Sequence, residues 1–302
     1  MKRIFLPLLV ATAAFIPGCS TVQQISEGTA SLAATAGVIS PDQAQSITRT
    51  TGAMTKAFDS ITPEQEYYIG RAVAATLVTT YKPYDVEKAN DYLNVIGQAL
   101  AMASDRPQTF GGYHFLVLDT EEINAFAAPG GLIVISRGML RCCRSEAAVA
   151  AVLAHEVAHV QFAHGLQAIK KGRLTSAFTI LATETTRTLG GKEVGELTDA
   201  FEGTISDITG TLVNSGYSRK FEYQADQGAV AILQRVGYNP EALVDMLQEM
   251  EKRLKPGGHD FAQTHPAPKD RIAQIRALLG APRPVTASPA TQKRFESALA
   301  GI

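Results

Sequence analysis

The chain has 302 residues, 45% of them hydrophobic and 19% charged. That composition excludes wholesale disorder and allows one large domain or two small ones. The formal net charge is −1, and with no basic run or stripe in the sequence a nucleic-acid partner is not expected.

Residues 1–18 read as a signal peptide. Met1-Lys2-Arg3 is a short positive start, and Ile4 to Ile16 is an apolar run too short for a comfortable membrane span. Ile16-Pro17-Gly18-Cys19 resembles the bacterial lipobox, which implies that Cys19 becomes a lipidated first residue. Cleavage elsewhere or an uncleaved anchor is the alternative. Ser20 stands where an aspartate would mark inner-membrane retention, which favours the outer membrane. Acyl chains on one cysteine would tether the chain, each buried methylene contributing about 0.8 kcal/mol. Cys142 and Cys143 are adjacent, a spacing wrong for a zinc site and strained for a mutual disulfide. Half-buried thiols and an intermolecular bond both remain open.

Residues 19–60, rich in Ser, Thr, Ala and Gln, read as a tether. Thr62-Pro63-Glu64 opens a helix that runs to about Thr80, and a second spans about Val86 to Ser104. Short apolar runs at Tyr113–Leu118, Asn124–Ala128 and Leu132–Ser136 predict strands, the last two joined in a hairpin by Pro129-Gly130-Gly131. Ser145 caps the next helix, which carries an apolar face of Val149, Val152, Leu153, Val157 and Val160. Residues 166–217 read as helical but loosely specified, with no apolar run of membrane length. Helices follow from Ser218 to Arg235, from Pro240 to about Leu254 and from Pro268 to Leu279, and residues 281–302 read as a loose tail.

The chemistry concentrates in His155-Glu156-Val157-Ala158-His159. Histidines four apart on a helix lie about 5–6 Å apart at Cβ on one face, as two ligands of one tetrahedral metal require. Glu156 projects beside that face, where it can take the proton of a water acidified by the metal. An exposed helix with two surface histidines would explain neither the small Ala154 and Ala158 nor the apolar packing around the motif. A catalytic zinc needs a third protein ligand. His164 lies about 180° round from His155 at 3.6 residues per turn, so it faces away if the helix continues. Glu222 is the better candidate. Glu222 and Asp226 lie four apart, so that one can bind metal while the other orients a histidine ligand, although a solvated acidic face has the same spacing.

These segments, with Ser218-Arg219-Lys220-Phe221 leading into Glu222, Thr264-His265-Pro266, Arg271-Ile272 and Asn124-Ala125-Phe126-Ala127-Ala128-Pro129-Gly130-Gly131, resemble the M48 family of zinc metallopeptidases over about residues 60–280. The family includes CAAX prenyl proteases and bacterial envelope proteases. The resemblance implies one zinc per chain, Glu222 as third ligand, Asp226 behind a ligand, and His265 and Arg271 near the zinc on the substrate side. The lack of transmembrane helices points to its soluble, lipoprotein-type branch. The expected fold is α+β and mostly helical, a zincin-like core with a small β-sheet against the active helix, in a domain of residues 61–280. Asn124, Ala125 and Phe126 would border the substrate if residues 124–128 form an edge strand that an extended peptide can join; ordinary sheet is the alternative.

The expected function is zinc-dependent endoproteolysis, with Glu156 as base and His265 as a second catalytic or gating residue. Its substrates would be unfolded or misassembled envelope proteins, in a periplasmic site anchored to the outer membrane through Cys19, with outer-membrane assembly partners possible. The rivals are a gated, chaperone-like assembly factor that seldom cleaves and a structural zinc protein with four protein ligands.

Overall fold

Thr62 opens α1 (Pro63–Thr80) with a reciprocal cap: its hydroxyl accepts from Gln65 N at 3.2 Å, and the Gln65 side chain accepts from Thr62 N at 2.9 Å. The structure, a computed structural model, describes residues 61–169, 202–254, 265–281 and 283–302, all within the compact unit Ile61–Ile302. The expected signal segment and tether with Cys19, and residues 170–201, 255–264 and 282, lie outside the described residues. Among those described, no helix is long and apolar enough to cross a membrane.

α2 (Glu87–Ala103) buries Leu93, Ile96 and Leu100. It lies against a three-stranded sheet of β1 (His114–Leu118), β2 (Ala125–Ala128) and β3 (Leu132–Ser136), in the order β1-β3-β2. β3 runs parallel to β1 and antiparallel to β2, pairing Val134 with both Leu116 and Phe126. The expected hairpin is therefore present. Its turn needs glycine, because Gly130 and Gly131 take φ of 76° and 96°. Among the described residues the strand order leaves β2 at an edge of the sheet, which the sequence could not decide.

α3 (Glu146–Gln161) starts at Ser145, whose hydroxyl accepts from Ala148 N. Every residue from Ala148 to Val160 is buried. The expected single apolar face is thus corrected: the helix is enclosed on all sides, as suits a central helix. Its small residues let α4 (Arg219–Val236) approach closely. A Cβ added at Gly228 would stand 2.8 Å from Ala158 Cβ, inside normal contact. α4 begins at the Ser218 cap, and Gly237 at φ 92° ends it. α5 (Glu241–Arg253) and α6 (Pro268–Leu279) complete the bundle around α3 and α4. Residues 202–210 are helical and run into a wider turn, Thr211–Ser215.

The expectation of a loose tail fails. Residues 289–298 form α7 (Pro289–Ala298), capped by Ser288, with Ala298 and Leu299 in the core. Glu146, 2% exposed at the start of α3, draws this helix in. It accepts from Arg294 Nε at 2.6 Å and from the hydroxyls of Tyr238 at 2.9 Å and Tyr92 at 3.3 Å. The carboxylate also suits a helix N-terminus. The compact unit therefore reaches residue 302 rather than 280. A second buried acid, Glu66 of α1, pairs with Arg106 and accepts from Gly130 N at 3.1 Å. Arg106 also donates to Val160 O at 3.2 Å, which ties the β2–β3 turn to the end of α3.

Candidate active site

α3 presents His155 and His159 with their Nε2 atoms 3.1 Å apart, and α4 brings Glu222 to both. Glu222 Oε2 lies 3.5 Å from His155 Nε2, and Glu222 Oε1 lies 3.5 Å from His159 Nε2. A tetrahedral zinc with bonds of about 2.0–2.1 Å holds its ligand atoms about 3.3 Å apart, so the residues present fit that ion. His265 joins them: one donor atom from each of His155, His159, Glu222 and His265 lies within 4.8 Å of the others. His265 Nδ1 stands 2.6 Å from Glu222 Oε2. Two nitrogen donors, a carboxylate and a further imidazole make a donor set of the kind zinc takes.

Behind His155 lies a charged brace. His155 Nδ1 is 3.0 Å from Asp226 Oδ1, and Asp226 is gripped in turn by Arg271 through Nε at 2.9 Å and Nη2 at 2.6 Å. With Nε2 turned to the metal position, Nδ1 carries the proton and donates to Asp226. The adjacent Arg271 Nη2, 3.1 Å away, is then a neighbour of that N–H rather than its donor. Burial alone would raise the Asp226 carboxyl, but Arg271 and His155 outweigh it and hold it below its usual range. For His155, burial and Arg271 push down while hydrogen bonds to Asp226 and Glu222 lift harder, to about 9. A metal there displaces a proton. Arg271 was expected on the substrate side. It is instead wholly buried behind His155, because its carboxylate partner sits on the far side of the ring.

Glu156 is 2% exposed, and its Oε1 has no hydrogen-bond partner among the described residues. Burial, reinforced by Glu222 and opposed by His155 and Arg271, pushes it up to about 7. It shares a cavity of about 10 Å³ with Ala125, Phe126, Leu212, Tyr217 and His265. That is about the room one water needs. Edge strand β2 therefore borders the site through Ala125 and Phe126. Asn124 is buried and held by the sheet, accepting from Ser136 N through its carbonyl at 3.0 Å and from Ala125 N through its side chain at 3.0 Å.

Two neighbours escaped sequence reasoning. Tyr217 stacks on the His159 ring at 4.5 Å and 20°. His164, expected to face away, touches His159 instead, Nδ1 to Nδ1 at 2.9 Å. The rotation argument assumed a continuing helix. α3 stops at Gln161, and Ala163 turns the chain back at φ 53°. No glycine or proline marks that stop, so no residue signal could have revealed it.

The chain is similar in sequence to known proteases. A beta-barrel assembly-enhancing protease of Escherichia coli (strain K12) is 25% identical over 255 residues, covering 84% of this chain and 52% of the relative. A mitochondrial metalloendopeptidase of Schizosaccharomyces pombe is 31% identical over 162 residues, 52% of this chain and 43% of the relative. The metalloprotease LoiP of E. coli is 27% identical over 168 residues, 56% of this chain and 63% of the relative. The chain spans about half the length of the first of these relatives. The sequence model of peptidase family M48 matches residues 87–279, the stretch that contains α3, α4 and α6 with all the side chains just described. With zinc-fitting donors on the helices that this match spans, the chain belongs to peptidase family M48, the zinc metallopeptidases.

Proposed function

We propose that the protein is a zinc-dependent endopeptidase of the bacterial cell envelope that cleaves unfolded or misassembled proteins. The observation that carries this reading is the convergence of His155, His159 and Glu222 at zinc-ligand separations beside a carboxylate with a free oxygen. Zinc, when bound, supplies Lewis acidity that eases deprotonation of water and polarises a peptide carbonyl. Glu156 takes the water's proton on Oε1 and returns it to the leaving amine; a carboxyl near 7 suits both transfers. Asp226 and Arg271 hold His155 in place, and β2 offers main-chain groups along which an extended substrate can lie.

The resting site is shut. His155, Glu156, His159 and Glu222 are at most 2% exposed, and His265 stands among the ligand atoms. This favours a gated protease, with His265 as the plug, and keeps the restrained assembly factor as the second reading. The name of the E. coli relative, beta-barrel assembly-enhancing protease, supports envelope substrates and outer-membrane assembly partners. Membrane attachment rests on the lipobox at Cys19.

The test is zinc content and cleavage of an unfolded protein. Wild type should hold one zinc per chain, and His155→Ala, His159→Ala or Glu222→Ala should each lose most of it. Glu156→Gln should keep the zinc and lose cleavage. Retained cleavage by pure Glu156→Gln protein would sink the mechanism.

A further inference from the structure

We propose that His164, anchored by Gln224, fixes the tautomer and aim of His159 and so makes it a zinc ligand. The proposal rests on the reading that His155, His159 and Glu222 hold the metal. Among the described residues, Ala163 alone combines a side chain with positive φ, at 53°. A non-glycine residue is uncommon there. The turn brings His164 back beside the helix it has just left, and the residue is fully buried. Its ring stacks on Phe221 at 4.4 Å and 9°, and its Nε2 lies 3.3 Å from Gln224 Oε1. Phe221 and Gln224 flank Glu222 on α4, so the helix that delivers the carboxylate ligand also seats His164.

The protons in this row can be placed. A histidine binds zinc through a lone pair, and His159 turns Nε2 toward His155 and Glu222. Its proton then resides on Nδ1. The two Nδ1 atoms are 2.9 Å apart and share one hydrogen, so His159 donates and His164 accepts. Neutral His164 carries its own proton on Nε2, where Gln224 Oε1 accepts it. Reversing the row would put hydrogen on His159 Nε2 and remove the ligand. His155 is thus braced by a carboxylate and His159 by a neutral imidazole, and that second brace adds no charge to the site.

The tautomers are read directly from long-range proton–nitrogen correlation spectra of the zinc-loaded, nitrogen-15-labelled full chain. The expected pattern is a proton on Nδ1 of His159 and on Nε2 of His164; a proton on Nδ1 of His164 overturns the proposal. Zinc affinity, measured by chelator competition, supplies the second readout. His164→Phe keeps ring stacking but lacks the acceptor, and should weaken zinc binding about 10–100-fold. His164→Gln restores an acceptor and should recover part of that loss. Wild-type affinity in folded His164→Phe protein also overturns the proposal. If that variant does not fold, the wild-type spectrum decides. A His159→Ala chain that binds zinc as tightly as wild type would instead overturn the ligand assignment beneath it.

Discussion

Among the described residues, Glu156 keeps a carboxylate oxygen without a protein partner, in a cavity with room for about one water. A buried unsatisfied acceptor costs about 1–3 kcal/mol, and proton transfer gives it a use. His265 shows the same tension between stability and function. On the gated reading proposed above, its hydrogen bond to Glu222 and its place among the donor atoms hold closed a site that a substrate must open. His265→Ala should therefore raise the steady-state cleavage of an unfolded protein at equal zinc content. A fall of about 10²–10³ would mark it as an oxyanion donor instead, and an unchanged rate would remove both roles. The two histidines and Glu156 were legible in the sequence because they sit at local helical spacing; Glu222 and Asp226 share such spacing with any solvated acidic face, and only the resemblance to a family singled them out. The position of Arg271 was not. Nothing local says that its guanidinium turns inward to Asp226, 45 residues earlier.

The distance between α3 and α4 sets whether two histidines and a glutamate can share one ion. Ala158 and Gly228 fix that distance by close approach. Gly228→Ala would press a methyl to 2.8 Å from Ala158 Cβ and 3.0 Å from the Phe162 ring, so the helices must part. The expected cost is about 1–3 kcal/mol of stability in urea unfolding, together with weaker zinc binding as Glu222 is carried away. Unchanged zinc affinity would show that the ligands do not depend on this contact. α7 makes a different point. Most of its residues are exposed or half-buried, so its apolar content gave no strong period, and it docks through one charged contact and a few residues at its end. Arg294→Ala removes two hydrogen bonds from buried Glu146 and leaves the tyrosines. Stability should fall by about 1.5 kcal/mol, the low end of the range for hydrogen bonds to charged groups, because Arg294 itself is half exposed. An unchanged unfolding midpoint would mean that the Arg294–Glu146 contact does not hold α7 in place. Three helix starts were readable, since Thr62, Ser145 and Ser218 each accept from a backbone N–H three residues on, whereas α2, α5 and α6 begin without a side-chain cap.

At the scale of the whole molecule, the envelope reading predicts where the protein is found. Cys19→Ser should release it from membranes into the soluble fraction, because the proposed tether is the acyl group that the lipobox implies on Cys19. A mutant that still pellets with membranes after high-salt washing would place the tether elsewhere. The sequence by itself determined what depends on short spacing: the caps at Thr62, Ser145 and Ser218, the helix that carries His155 and His159, and the candidates for a third ligand. The tertiary structure decided the rest. It made β2 an edge, turned Arg271 to the back of His155, folded His164 onto His159 and drew residues 289–298 into the core. Apart from the His164 contact, which a local turn at Ala163 makes without a glycine or proline to mark it, these outcomes depend on which distant partner meets a residue once the elements pack. Hydrogen bonds and close contacts across 40 or more residues leave no period in the chain that a sequence reading can detect.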